Sequence, residues 1–348
     1  MSEFRQDPTT REWVILAPER GRRPEDFRQQ EERAGLPDRD SSCPFCPGNE
    51  KMTPKEVLRV PDAGKWQVRV VPNKYAALTP FNHIQRRRHD GLFVSTNGVG
   101  LHEVIIETPI HNRQIFDMDD KEVGDVLRVY RDRYNAIRED SRIRLILIFK
   151  NYGEGAGTSL MHPHSQLVAT PIVPPYIRRR YEVAWGYYHD TGKCLYCDLR
   201  DTEIAVAERV VFQSHHFVVF QPFASKVPFE TWIMPKRHLA SYGDISEEEI
   251  RDLAVALRDT LKALSLHLGQ FDFNYVLHTA PVGEDRPGYY LFHIQIIPRL
   301  TTMAGFELGS GISISTALPE DTASLLRQSL EQATGDLGSG WEMIEHEV

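Results

Sequence analysis

The run Met161-His162-Pro163-His164-Ser165-Gln166 places polar side chains at every second position. Alternate residues of an extended segment share one face, so these side chains point to the same side of a strand. A neutral imidazole is a good nucleophile toward phosphorus. The pattern predicts that His164 forms a covalent nucleotidyl intermediate and that Gln166 hydrogen-bonds the phosphoryl group, while His162 ligates a metal. Metal chelation alone, or a core histidine, is the plain alternative for a His-x-His pair.

A glycine-rich stretch leads into this run and follows a hydrophobic strand predicted at residues 144–149. Gly153, Gly155 and Gly157 allow backbone N–H groups to approach an anion closely, as phosphate-binding loops do. This context favours phosphorus chemistry at His164 over simple chelation.

The four cysteines fall into two pairs, Cys43-Pro-Phe-Cys46 and Cys194-Leu-Tyr-Cys197. In a reducing compartment such pairs are more often metal ligands or redox dithiols than structural disulfides. A redox dithiol is expected in a thioredoxin-like βαβ context, which neither pair has. The spacing therefore favours zinc.

Each cysteine pair is followed by histidines that could complete a closed tetrahedral Cys₂His₂ shell for Zn²⁺. The chain has 14 histidines, and His102 competes with His111 for the third place in the first set. Four ordinary buried thiols with unrelated histidines are the alternative. The predicted sets, one zinc ion each, are Cys43, Cys46, His111 and His162 in the first half, and Cys194, Cys197, His238 and His293 in the second.

The composition indicates a globular protein of two ordinary domains. The chain has 348 residues, 41% of them hydrophobic, and a formal net charge of −8, which favours neither nucleic acid nor an anionic membrane surface. It contains no apolar stretch of the length that a membrane span needs, and its first residues lack the apolar core of a signal peptide. We expect a cytoplasmic protein that binds neither nucleic acid nor membranes.

The order of elements predicts an α+β fold made of two similar units, residues 1–175 and 176–348. Helical periodicity spans residues 119–139, and a capping-box pattern opens a second helix at 246–268. Strands are predicted at 13–16, 66–71, 91–94, 103–107 and 145–149, and at 210–212, 217–220, 230–234, 273–278 and 289–297. Aligning the halves pairs His162 with His293 and His164 with Gln295, which predicts one active half and one structural half.

Several motifs together resemble the galactose-1-phosphate uridylyltransferase family, a branch of the histidine triad superfamily. The resemblance runs through nearly the whole chain. It implies two tandem histidine-triad-like units, each a mainly antiparallel sheet with flanking helices, and a homodimer whose active sites are completed by the partner subunit. The motifs are Trp13–Pro24, Cys43–Asn49, Val71–Leu78, His162–Gln166 and Ala304–Glu307.

The resemblance also implies a ping-pong reaction between a nucleotide sugar and a hexose 1-phosphate. His164 would take UMP from UDP-glucose, releasing glucose 1-phosphate, and galactose 1-phosphate would then collect it as UDP-galactose. A solvated turn is the alternative for the two arginines among the implied contacts, and turn capping is the alternative for the two asparagines. The implied substrate-binding residues are Arg20, Arg23, Asn73, Asn151, Gly157, Ser159, Phe306 and Glu307.

Two features depart from the best-known bacterial members of that family. Thr301-Thr302 stands where those members carry a lysine that contacts the sugar phosphate, and they lack the second cysteine pair. In having a second Cys₂His₂ set, the chain resembles the ADP-glucose phosphorylase branch. In that branch inorganic phosphate accepts AMP from the enzyme. That activity is the first alternative. A hydrolase and a non-catalytic, zinc-stabilised nucleotide-binding protein are the others.

Overall fold

The computed structural model describes residues 1–20, 27, 35–80, 83–284 and 287–333. Seven strands precede the first α-helix of this part of the chain, and strands and helices are mixed after it. The strands are β1 (Glu3–Gln6), β2 (Trp13–Leu16), β3 (Leu58–Val60), β4 (Val68–Pro72), β5 (Arg87–His89), β6 (Phe93–Ser95), β7 (Leu101–Ile106), β8 (Leu145–Tyr152), β9 (His164–Thr170), β10 (Val210–Gln213), β11 (Phe217–Phe220), β12 (Thr231–Pro235), β13 (Phe273–His278), β14 (His293–Pro298) and β15 (Ser313–Ser315). The helices are α1 (Asp120–Arg138), α2 (Pro175–Thr191), α3 (Leu195–Val206), α4 (Glu247–Leu268), α5 (Gly305–Ser310) and α6 (Pro319–Ala333).

Ten strands form one sheet in the order β10-β11-β12-β14-β13-β8-β9-β7-β4-β3, and every pairing in it is antiparallel. Reading outward from the centre, β8-β9-β7-β4-β3 and β13-β14-β12-β11-β10 have the same arrangement. This confirms the predicted α+β fold with two tandem units. The pairing of β8 with β13 joins the units into one sheet, and the division between residues 175 and 176 stays a prediction.

Smaller sheets lie outside this large one. Strands β1, β2 and β15 form a three-stranded sheet in which β15 runs parallel to β2, so the N-terminal segment pairs with a strand near residue 314. Strands β5 and β6 form a separate hairpin.

The two helices predicted from periodicity and capping are confirmed almost to the residue. Asp119 caps α1 and Ser246 caps α4, each in a complete capping box with the glutamate three residues later. The apolar faces of both helices are buried in the main core. Within the described residues, none of the helices has the length and apolar character that crossing a membrane requires.

The segment after residue 170 leads into a helix, α2, that the sequence patterns did not predict. Pro175 is the first residue of α2, where proline's missing N–H costs nothing and its fixed φ suits a helix. A second unpredicted helix, α3, begins directly after Cys194. The apolar residues of these two helical segments follow no clear helical period, so periodicity alone did not reveal the helices.

A buried polar group lies between the sheet and α1. Lys150 of β8 forms an ion pair with Glu107, and both side chains are excluded from solvent. Ser165 and Tyr130 donate hydrogen bonds to the same carboxylate, and the Tyr130 hydroxyl lies 2.6 Å from that of Tyr275. The group fixes Ser165, which is the residue after His164, and it involves strands from both units.

We expect Lys150→Met to destabilise the protein by about 3–5 kcal/mol, because Glu107 would remain as an uncompensated buried charge. The double variant Lys150→Met/Glu107→Gln should recover most of the loss, since a neutral amide still accepts hydrogen bonds. The urea midpoint followed by circular dichroism measures both effects. A single variant that unfolds at the wild-type urea concentration would contradict this account.

Candidate functional site

His164 is the first residue of β9 and is only 7% exposed. Its Nδ1 lies 2.8 Å from the carbonyl oxygen of His162. Since a carbonyl only accepts, Nδ1 carries the proton and Nε2 keeps its lone pair. Burial lowers the pKa of His164, which favours the neutral ring. The side chain therefore has the tautomer and the protonation state that a nucleophile needs.

A cavity of about 670 Å³ opens over this ring. Asn73, Ser159, His164 and Gln166 all line it, so the structure brings together four of the predicted residues. Lys51 and Lys74 also line the cavity and offer positive charge for phosphate groups. Sequence reasoning missed both lysines, because single lysines in polar turns carry no distinguishing pattern.

His102 contacts two residues that line this cavity and is not part of a cysteine cluster. Its Nε2 is 2.8 Å from Oε1 of Gln166 and 3.1 Å from Nδ2 of Asn73. Oδ1 of Asn73 accepts a hydrogen bond from the backbone N–H of Tyr75. His102 thus links two predicted phosphoryl or nucleotide contacts, which leaves His111 as the histidine available to the first cysteine pair.

The first cysteine cluster lies directly beside His164. Cys43, Cys46, His111 and His162 are all buried, and their ligand atoms lie within 4.8 Å of one another. The Sγ atom of Cys46 is 3.5 Å from Nδ1 of His111 and 3.6 Å from Nδ1 of His162. Phe45, between the two cysteines, packs edge-on against the ring of His164 at 5.3 Å.

These distances fit a tetrahedral metal site. With Zn–S of about 2.3 Å and Zn–N of about 2.0–2.1 Å, tetrahedral geometry separates sulfur from nitrogen by about 3.6 Å. The Nε2–H of His162 donates to the carbonyl oxygen of Thr108 at 2.8 Å, which turns Nδ1 toward the thiols. Burial also lowers the pKa of His162 to about 4, so the ring is neutral and able to ligate.

The second cluster contains three of its four predicted ligands. Cys194, Cys197 and His238 have ligand atoms within 4.8 Å of one another, and Sγ of Cys197 is 3.2 Å from Nδ1 of His238. The structure does not bring His293 into this group. Its ring is instead stacked on Trp232 at 4.6 Å and on His278 at 4.8 Å.

The reason is a two-residue shift between the halves relative to the predicted alignment. His164 begins β9 and His293 begins β14. Each Nδ1 bonds the carbonyl two residues earlier, that of His162 or of Leu291, the latter at 3.2 Å. His293 is therefore the counterpart of His164, and Leu291 stands where the first half has His162.

Gln295 follows the same shift. Oε1 of Gln166 contacts Nε2 of His102 on β7, and Nε2 of Gln295 donates to Glu230, the residue before β12, at 2.7 Å. Gln295 is therefore the counterpart of Gln166. The predicted alignment had paired Gln295 with His164, two residues away. The second half keeps a histidine at the nucleophile position, but it is fully buried in an aromatic stack.

The second half also holds the glycine loop of the first. Asp272 Oδ2 accepts a hydrogen bond from the N–H of Gly155 at 2.6 Å. Gly153 has φ of 89°, and a Cβ there would lie 1.9 Å from Asp272 Oδ1. Asn274 donates to the carbonyl of Ala156 at 2.9 Å. No motif around residues 272–274 signalled this role.

Asn274 also fixes the predicted contact residue Asn151. Its Nδ2 donates to Oδ1 of Asn151 at 2.8 Å, directly across the pairing of β13 with β8. Gly157 ends the loop with φ of 84°, a left-handed conformation that favours glycine. Ser159 follows and lines the cavity.

Family models of known proteins match nearly the whole chain. The N-terminal domain of galactose-1-phosphate uridyl transferase matches residues 1–174, and the C-terminal domain matches residues 178–331. The chain belongs to the galactose-1-phosphate uridyl transferase family. Homologues in this family are nucleotidyltransferase-type enzymes.

Relatives in the family differ in activity. The chain is 38% identical to an ADP-glucose phosphorylase of Arabidopsis thaliana over 94% of its length and 92% of the relative. It is 28% identical to a galactose-1-phosphate uridylyltransferase of Thermotoga maritima over 94% of its length and 99% of the relative. A crystal structure of an Arabidopsis ADP-glucose phosphorylase with bound ADP-glucose aligns with a TM-score of 0.80 and 34% identity, covering 94% of this chain and 98% of that one.

A uridylyltransferase structure aligns almost as well. Its TM-score is 0.75 at 30% identity, and the alignment covers 96% of this chain and 99% of that chain.

Of the remaining residues suggested by the family resemblance, those that the structure describes do not line the cavity over His164. Arg20 is exposed at the end of a short 3-10 helix, and Arg23 falls outside the described residues. Phe306 and Glu307 lie on α5, where Glu307 caps the helix by accepting from the N–H of Ala304. Glu307 lines a different cavity, of about 560 Å³, in the second half.

We expect Asp272→Ala to lower kcat about 10-fold with little change in KM, since the lost anchor would loosen the loop that orients the phosphoryl group. Asp272→Asn retains an acceptor for Gly155 and should keep most of the activity. Single-turnover labelling of His164 measures the effect directly. An equal loss in both variants, or an unchanged rate in Asp272→Ala, would rule out this positioning role.

Proposed function

We propose that this protein transfers a nucleotidyl group from a nucleotide sugar to a phosphate-bearing acceptor through a covalent intermediate on His164. The observation that supports this most strongly is the single free nitrogen of that ring, held at the base of a cavity lined by polar and cationic side chains. The proposal makes His164 the nucleophile and Gln166 a phosphoryl contact.

The first step forms a bond from Nε2 of His164 to the α-phosphorus and breaks the bond to the sugar phosphate oxygen. The leaving group departs as a hexose 1-phosphate with the bonding electrons. Positive charge then develops on the ring, and the carbonyl of His162 stabilises it through the Nδ1–H hydrogen bond. The glycine loop and Ser159 offer donors near the phosphoryl oxygens.

We further propose ADP-glucose as the donor and inorganic phosphate as the acceptor, giving ADP and glucose 1-phosphate. The higher similarity to ADP-glucose phosphorylase and the second cysteine pair both support this choice. Thr301-Thr302 supports it as well, because the lysine that contacts the phosphate of a hexose 1-phosphate acceptor is missing.

The second candidate is hexose-1-phosphate uridylyltransfer, from UDP-glucose to galactose 1-phosphate. Several relatives that are 28% identical to this chain are named for that activity. It requires the same intermediate and differs only in the base and the acceptor.

Zinc is the metal we propose for the two cysteine–histidine clusters, one ion in each. The donor set of two thiols and imidazole suits Zn²⁺, and the closed first site would brace His162 beside the nucleophile without an open position for water. We also propose that the enzyme is cytoplasmic and acts as a homodimer.

Incubation with ADP-glucose alone should add the mass of one AMP group to the protein, and phosphate should then remove it. Intact-protein mass spectrometry measures both steps. His164→Gly should show no adduct, and Lys65→Ala, at an exposed position, should label as wild type does. Labelling by UDP-glucose alone would favour the second candidate, and no adduct with either donor would contradict the covalent mechanism.

A mixture of inactive variants tests the homodimer. Phe306 and Glu307 are exposed or half-buried and lie away from His164 in the same chain, so a second copy would have to bring them to its cavity. We expect His164→Gly and Glu307→Ala to be inactive alone. When the two variants are co-expressed, they should regain about one quarter of the wild-type activity, because half of the dimers are hybrids and each hybrid contains one intact site. Absence of any recovery would argue against a shared site.

A further inference from the structure

The two metal clusters differ in how many ligands the described chain supplies. The first brings together two cysteines and two histidines, whereas the second brings together Cys194, Cys197 and His238. The strand register gives the reason, since Leu291 occupies the position that His162 holds in the first half. Leucine has no donor atom, so no residue of the described chain supplies the fourth ligand at that place.

The clusters also differ in their access to solvent. All four side chains of the first cluster are buried. In the second, Cys194 is buried, Cys197 is half-buried and His238 is exposed. A metal ion held by these three side chains would therefore lie near the surface, where water and small solutes reach it.

We propose that the second cluster is an open Cys₂His metal site, whose ion takes its fourth ligand from solution as water, a small anion or a thiolate. The proposal goes beyond the nucleotidyl transfer proposed above and rests only on metal binding by this cluster. Three protein ligands with one exchangeable position are typical of zinc sites that bind exogenous ligands, whereas four protein ligands close the shell.

His293 is the competing source of a fourth ligand. Its Nε2 is buried and has no hydrogen-bond partner in the described part of the chain. Moving it to the cluster would require the ring to leave its stack with Trp232, His278 and Tyr196, whose ring centre lies 5.3 Å away. The experiment must therefore distinguish a ligand from solution from a rotated His293.

Metal release from the purified zinc protein to a chromogenic chelator provides the first measurement. We expect two phases of equal size. The open site should release its ion about 10–100-fold faster than the first site, because it lacks a whole ligand. Cys197→Ser should remove the fast phase alone. Two equally slow phases, or a single ion per chain in the wild type, would overturn the proposal.

Leu291→His tests the cause, because it restores the ligand that the first half has at this position. The fast phase should slow toward the rate of the first site, while Leu291→Ile, which adds no donor, should leave it fast. His293→Phe should also leave it fast. If His293→Phe instead accelerates or abolishes metal retention at the second site, the fourth ligand is His293 and the open site is refuted.

Cobalt substitution shows the exogenous ligand directly. Added cyanide or imidazole should shift the visible bands of the Co²⁺ protein, and the shift should disappear in both Cys197→Ser and Leu291→His. The Co²⁺ ion in the first site is a built-in control, since its closed shell should not respond. A spectrum that no added ligand changes would contradict an exchangeable position. None of these readouts depends on activity, so they stand apart from the test of nucleotidyl transfer.

Discussion

The antiparallel pairing of β8 with β13 is the contact on which both the sheet and the site depend. It joins two half-sheets that would each leave a long unpaired edge. It also places Asn274 opposite Asn151 and sets Asp272 against the glycine loop. A loop with three glycines has high conformational freedom, so contacts from outside are needed to order it before substrate arrives. The second unit supplies those contacts.

On the other side of His164, order comes from the first cysteine cluster. The carbonyl of Thr108 orients the ring of His162, and the carbonyl of His162 in turn orients His164. A metal ion at the cluster would fix both the ring and the backbone of His162, so the aim of His164 would depend on an ion that takes no part in bond making. Behind the strand, the buried carboxylate of Glu107 holds Ser165. His164 is thus fixed by its neighbours on both sides in sequence.

Much of this could be predicted from local sequence patterns. The capping boxes of α1 and α4, the strand that carries His164, and the cysteine pairs are short-range signals, and the structure has each of them. Contacts made across the sheet have no such signal, which is why Asp272, Asn274 and the role of His102 were missed. The structure places His293 differently from the prediction for a related reason. Residues two apart share a face of a strand, so an alignment error of two preserves the pattern and only hydrogen bonds reveal it.

The corrected register changes how the duplication is understood. In the second half, His293 stands at the position of His164, and Leu291 stands two residues earlier, at the position of His162. In the first half that earlier residue connects the cysteine cluster with His164. Without it, His293 packs into an aromatic stack, and its Nδ1 bond to the strand is longer than that of His164. The residue at this one position therefore accounts for two differences between the halves: four ligands lie together in the first cluster but three in the described part of the second, and His293 packs against aromatic rings whereas His164 lines a cavity.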